Sequence, residues 1–566
     1  MCRGAVGRRR SLWRVTALEQ LADRYVTEFA ALDPCRAAMM GISGQESHLT
    51  DYGPGGWAAR RELTRRTLAA LDGTPLDGPA ERVGAAVLRE RLEVERALDE
   101  AGVPDAFLDT TDGPVQRLRM AFELLDRGPG TPWEAVLARL RALPAMLDGL
   151  RTSLTRARRD GRVAARRQVA RSAADCRVMT GYLTGLAARH GEFSKDAALG
   201  GALRDAAAAA AGALTGFAVF LEEELAPHAP ERDALGRDRY LLGVRDFLGT
   251  RLDLEDTYAW GWAELARLKA EIAEVAARIR PGATVAEVRA ALDADPAHRV
   301  RGAEAFRAFL QELADAAIDA LDGVHFDIPA PLRRIECRIP AGDAGIYYLS
   351  PAEDGSRPGT VWWSVTEPDE DVVTWSVPST MYHEGVPGHH LQLGTATLAT
   401  GRLTRFQRLG CELYPGHGEG WALYAERLMD ELGFYRDPAH KLGMLVGGQL
   451  FRAARVVLDI GLHLELPIPA GTGFHEGERW TPRLGREFLR AHATLTDAGV
   501  AFEIDRYLGR PGQAIAYKVG EKVWLEAREA VRRRDGEAFD LKAFHRRGLE
   551  VGPMGLDLLR AELTRP

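Results

Sequence analysis

Within Tyr382-His383-Glu384-Gly385-Val386-Pro387-Gly388-His389-His390-Leu391-Gln392, three histidines and a glutamate fall inside eight residues. A neutral imidazole is a good ligand for Zn²⁺, and a catalytic zinc usually takes three protein ligands and leaves its fourth position to water. A carboxylate beside the first ligand can accept a proton from that water, whose pKa the metal lowers. In H-E-x-x-H the two histidines stand four apart on one helix face. Here the fourth position is Pro387, and the next histidines stand six and seven residues beyond His383. At about 100° per residue, six steps put His389 on the face opposite His383. Seven steps restore the face for His390, but at ~1.5 Å per residue it lies roughly 10 Å further along the axis. An unbroken helix therefore lets neither share a metal with His383. Pro387 removes a backbone donor and Gly388 admits unusual dihedrals, so Pro-Gly can distort the chain and swing a histidine back. Counting residues leaves both His389 and His390 open as the second ligand.

A third ligand has to come from elsewhere. Gly418 to Glu426 opens a helix whose Trp421, Tyr424, Ala425, Leu428 and Leu432 share one face. Glu419 stands at its start, 36 residues after His383, with Glu426 two turns on and His417 just before. All three are candidates. Further along, Tyr517 or Tyr507 offers an O–H to a developing oxyanion. Lys518, Arg506 or Arg455 offers a cation to a substrate carboxylate. Asp459 and His463, four apart on one helix face, could orient a ligand by hydrogen bonding, and a mutually satisfied pair is the simpler account.

These segments read H-E-x-x-P-G-H-H-x-Q, E-G-W-A-x-Y-A-E and R-Y-x-x-x-P-G-Q-A-x-x-Y-K-x-G. Together they resemble the bacterial family named domain of unknown function eight-eight-five. That family looks like a distant branch of the helical zinc peptidases, among them thimet oligopeptidase, thermostable carboxypeptidase and angiotensin-converting enzyme. The N-terminal half is similar more loosely, in Leu32-Asp33-Pro34, Gly41 and Thr50-Asp51-Tyr52. The resemblance implies one Zn²⁺ held by His383, His389 and Glu419, with Glu384 as general base and Tyr517 as oxyanion donor. It also implies an N-terminal half that walls a deep channel and limits access to short peptides.

The elements that must position these groups are mostly helical. From Ala17 to Gly323 apolar residues recur at helical spacing, as in Leu137, Leu140, Leu143, Met146 and Leu147. Gly-Pro and Asp-Pro punctuation at Asp33-Pro34, Gly53-Pro54-Gly55 and Pro281-Gly282 marks the breaks. Past Pro329, short strands are predicted at Ile335 to Ile339, Gly345 to Leu349 and Thr360 to Ser364, with a turn over residues 354–359. An edge strand beside the metal can hold an extended peptide by strand addition. Thr360 to Ser364 is the candidate, with Trp362 as a substrate-binding residue.

Composition narrows the class. The chain has 566 residues with 46% hydrophobic and 27% charged, values ordinary for a soluble globular protein. A net charge of -7 argues against nucleic acid as a partner. Cys2, Cys35, Cys176, Cys337 and Cys411 are odd in number and scattered, which points to free thiols. No run of ~20 apolar residues suggests a membrane span. The basic start lacks the apolar stretch of a secretory signal, so a cytoplasmic location is expected. The sequence thus predicts a mostly α, two-lobed zincin-like fold with a small sheet beside the metal. Its parts are a basic tail at 1–16, a helical lobe at 17–327 and a catalytic lobe at 328–566. The expected activity is hydrolysis of peptide bonds in small or unstructured peptides. The alternatives are a metal-dependent amide hydrolase of specialised metabolism and a non-catalytic helical binding protein.

Overall fold

A computed structural model describes residues 15–340, 345–352, 357–365, 367, 369 and 371–566. Most of the basic N-terminal segment and part of the turn at 354–359 lie outside them. The chain is mostly helical, with small sheets. Its first described helix, Ala17–Leu32, starts where sequence chemistry requires. Thr16 accepts from the Glu19 N–H, and Glu19 reaches back to the Thr16 N–H. Leu32-Asp33-Pro34 and Thr50 form a latch: Asp33 caps the helix Pro34–Met39 and accepts from the Thr50 hydroxyl at 2.6 Å.

Buried apolar side chains gather into two clusters. The smaller draws on Tyr52 and then on Leu108 to Ala229, from the helices Pro114–Glu123, Trp133–Arg159, Arg166–Phe193 and Ala197–Val219. The larger joins residues from Leu18 to Leu92 with residues from Tyr240 to Leu563, and runs across the 327/328 junction. Ion pairs tie the two regions together: Arg167 bridges Asp233 and Asp505, and Arg510 reaches Asp109 and Asp112. The segment Ala197–His228 is long and apolar enough by composition to cross a membrane, unlike the sequence expectation. Much of that character comes from its alanines, and Leu203, Ala207, Ala210 and Leu214 are buried in the smaller cluster.

Among the described residues, five short strands form two sheets. β1 (Arg299–Arg301) pairs antiparallel with β5 (Asp371–Val373), a pairing the helical reading of residues 17–323 missed. β2 (Ile335–Arg338), β3 (Ile346–Leu349) and β4 (Gly359–Trp363) lie where strands were predicted, in the order β2-β4-β3. That order corrects the edge-strand expectation, because β4 is central and both its edges are paired. The outer edge of β2 is met by Gln311, whose amide donates to the Ile335 carbonyl at 3.0 Å and accepts from the Cys337 N–H at 3.1 Å. β3 is left as the open edge among the described residues, with Ile346 and Tyr347 each 42% exposed.

Candidate metal centre

The His383 helix, Val377–Glu384, stops at Gly385, and a new helix, His389–Leu398, starts after Gly388. The turn between them is tight. Gly388 N–H donates to the Tyr382 carbonyl at 3.0 Å, His390 N–H donates to the Gly385 carbonyl at 3.0 Å, and the Pro387 carbonyl accepts from the Trp421 indole at 2.8 Å. Val386-Pro387 is cis. A Cβ at Gly388 would collide with the Tyr382 and His383 carbonyl oxygens, so only glycine fits. The reversal brings the His389 ring edge-on to His383, with centroids 4.8 Å apart.

Glu419 arrives from the second turn of the helix Pro415–Glu431. Its Oε2 lies 3.2 Å from His383 Nε2 and 3.4 Å from His389 Nε2. One ligand atom from each of the three residues lies within 4.8 Å of the others. Two imidazole nitrogens and a carboxylate oxygen are a donor set that suits zinc, whose bonds of ~2.0–2.2 Å would need only a small closure.

Glu426, a competing ligand candidate, stands behind this group. Its Oε1 is 2.8 Å from His383 Nδ1, and its Oε2 accepts from the Ser379 hydroxyl at 2.7 Å. A carboxylate at Nδ1 fixes the hydrogen there and leaves Nε2 directed at Glu419 and His389. Burial opposes a charge on His383, but hydrogen bonds to Glu419 and Glu426 and the neighbouring Glu384 outweigh it and raise the imidazole to about 10. Burial opposes the charge of Glu419 as well, yet His383 and His389 hold it well below the usual carboxylate range. Glu384, which closes the helix, is 8% exposed.

His390 points elsewhere. Its Nε2 donates to the Leu332 carbonyl at 2.9 Å, and its Nδ1 accepts from the Tyr348 hydroxyl at 3.0 Å. Gly359 makes room for that bond, since a Cβ there would strike both partners. Burial pushes His390 down to about 4, so it is a neutral strut between β3 and the metal-site turn. His417 is buried, accepts from the Gln392 amide at 3.1 Å and is pushed down to about 3 by burial.

Tyr517 lies in the first turn of the helix Ala516–Asp535, its ring stacked on His383 at 6.4 Å. This helix and Pro415–Glu431 meet backbone to backbone. A Cβ on Gly520 would sit 2.6 Å from the Gly420 Cα. The glycines of E-G-W-A and Y-K-x-G thus let Glu419 and Tyr517 approach His383 from two helices. Arg455 lies over the Tyr517 ring at 4.8 Å, donates to the Tyr507 hydroxyl at 2.9 Å and pairs with Glu503 at 3.1 Å. Tyr507, the alternative oxyanion donor, is therefore a buried partner of Arg455.

Three expected substrate contacts are engaged otherwise. Lys518 is buried among Gln449, Glu521 and Glu264, with Nζ 2.6 Å from the amide oxygen and 2.9 Å from Glu264. Arg506 pairs with Glu503 at 2.6 Å and donates to Gln513 at 2.9 Å. Trp362 stacks on Tyr347 at 6.2 Å and lies under Arg338 at 5.5 Å, a ladder across all three strands. Asp459 and His463 do not orient a metal ligand. Asp459 accepts from Tyr240 and from the Gly512 N–H, while His463 donates to the Tyr507 carbonyl. Glu426 takes the orienting position instead. Its seven-residue spacing from Glu419 kept it on the same face, but only tertiary packing puts it at Nδ1 of His383 rather than at Nε2 beside Glu419.

Comparison with solved structures supports the fold. A protein from Colwellia psychrerythraea, described as a "putative lipoprotein", superposes with a TM-score of 0.80 at 22% identity, over 97% of this chain and 99% of that one. A second from Shewanella oneidensis, described likewise and of unknown function, gives 0.73 at 16% identity, over 97% and 100%. No curated protein matches. A family model described as bacterial protein of unknown function (DUF885) matches residues 34–563, so the chain belongs to that family.

Proposed function

We propose that the chain is a zinc-dependent hydrolase of peptide bonds in small or unstructured peptides. The observation that carries this reading is the convergence of His383, His389 and Glu419 on one point, with Glu426 on the outer nitrogen of His383. Zinc bound there supplies Lewis acidity and makes water a nucleophile near neutral pH. Glu384, next in sequence to His383, accepts the proton of that water and returns it to the leaving amine. Tyr517 donates its hydroxyl hydrogen to the developing oxyanion. Arg455, stacked on Tyr517, positions that ring and disfavours its loss of position during turnover. An extended peptide adds to the open edge of β3, where Tyr347 and Ile346 offer apolar surface.

The test is a digest of an unstructured peptide library, read by mass spectrometry, with replete zinc, with chelator and with zinc restored. Cleavage that follows the metal is expected, and a Glu384→Gln variant should keep the metal and lose cleavage. A zinc-loaded chain that cuts no peptide overturns the reading. The cytoplasmic location expected from the sequence finds no support in the two solved relatives, and fractionation of the native host decides it.

A further inference from the structure

A second pair of histidines gathers on a carboxylate, with no residue in common with the first group. His298 ends the short turn Pro296–His298, Asp437 caps the helix Pro438–Gly443, and His440 lies in that helix. One ligand atom from each lies within 4.8 Å of the others. His298 Nε2 is 3.8 Å from Asp437 Oδ2, and the two imidazoles meet edge to face at 6.2 Å. Asp437 Oδ1 accepts from the Ala439 N–H at 2.8 Å, which fixes the carboxylate with Oδ2 toward His298. Neither imidazole spends a ring nitrogen on a hydrogen bond to another described residue. All three side chains are half-buried.

We infer that His298, Asp437 and His440 form a second metal site, structural in role and suited to zinc or a similar divalent transition metal. Two imidazoles and one carboxylate favour such ions over calcium or magnesium, which prefer all-oxygen shells. Ligand atoms of a tetrahedral zinc lie about 3.4 Å apart, so modest side-chain rotation gathers these three. Their place in the fold gives the ion a purpose. The His298 carbonyl accepts from the Thr374 N–H at 2.8 Å, in the segment that joins β5 to the His383 helix. At the other end of the His440 helix, Gly443 packs on that same segment, where a Cβ would sit 2.6 Å from the Ser376 Cα. Asp437 itself follows the helix that carries Glu419 and Glu426 by a short loop. A metal here staples the chain entering the His383 helix to the chain leaving the Glu419 helix.

The inference does not rest on the hydrolase reading, and metal counting separates the two. The full chain, purified with replete zinc, is measured by elemental analysis beside His383→Ala, His298→Ala/His440→Ala and Asp437→Asn variants. Asparagine keeps the helix cap, which guards against misfolding. About two equivalents are expected in the parent and about one in each variant. A parent holding one equivalent that only His383→Ala removes overturns the second site and leaves the first. One equivalent that survives His383→Ala and is lost in the other variants supports the second site and removes the first. No bound metal in the parent overturns both.

Discussion

Glu426 Oε1 lies 2.8 Å from His383 Nδ1, so a carboxylate that competes with Glu419 as a ligand in sequence instead sets the tautomer of the first histidine. With Ser379 on its other oxygen, that carboxylate is itself fixed. Such outer partners typically carry about 10–100-fold in metal affinity. Glu426→Gln retains an acceptor but loses the charge, and zinc affinity should fall within that range while the fold persists. Competition titration against a chromophoric chelator measures it. Loss of metal as complete as in Glu419→Ala would instead make Glu426 a ligand.

The metal-free cluster makes binding a proton exchange. His383, raised to about 10 by Glu419 and Glu426 against the opposing effect of burial, must shed its proton to take a metal. Zinc binding at pH 7.5 should therefore release about one proton from His383, and apparent affinity should climb roughly tenfold per pH unit over the window where His383 stays protonated. The metal-free protein follows the opposite sign. The folded pKa lies above the ordinary ~6.5, so the contribution of His383 to stability is full below that pH and is lost as pH rises through about 10. Calorimetry in buffers of different ionisation enthalpy counts the proton. Binding with no proton release would remove this account of the site.

His389 and His390 are adjacent in sequence, yet opposite outcomes follow from substituting them. His389→Ala removes a nitrogen 3.4 Å from Glu419 Oε2 and should abolish zinc binding with little loss of stability. His390→Phe keeps the zinc but strands the Leu332 carbonyl, at a cost of about 1–3 kcal/mol. Metal content and urea unfolding of the two variants together check the assignment. Loss of zinc in His390→Phe with retention in His389→Ala would reverse it.

Local chemistry made part of this legible in the sequence. Pro387 and Gly388 could not sit inside a helix that served a metal, and the helix breaks there. The strand positions near residues 335, 346 and 360 followed from β-branched and aromatic runs. Strand order did not, since nothing local to Thr360 to Trp363 says that Ile335 and Ile346 will pair on either side. The same limit hid the roles of charged residues. Lys518 and Arg506 look like solvated cations or substrate grips until tertiary packing supplies Glu264, Gln449 and Glu503 as partners. Asp459 and His463 share a helix face, but Tyr240, Gly512 and Tyr507, from other segments, claim their hydrogen bonds.

Gly420 and Gly520 give the sharpest test of how the two helices position chemistry. A methyl group at Gly520 would lie 2.6 Å from the Gly420 Cα and collide with the Gly416 carbonyl, both backbone atoms that cannot rotate aside. The helices must then separate, and Tyr517, three residues before Gly520, moves relative to Glu419. Overpacking of this kind costs about 1–3 kcal/mol. Zinc should largely remain, because His383 and His389 lie on neither of the two helices. Turnover should drop about 100-fold, as for Tyr517→Phe, because the oxyanion donor is out of place. The double variant Gly520→Ala/Tyr517→Phe should lose little more than either alone, since both changes act on the same hydroxyl. Steady-state kinetics of the four proteins, with metal content measured in parallel, decides the point. Full additivity in the double variant would mean that the glycine contact serves stability and has no part in placing Tyr517.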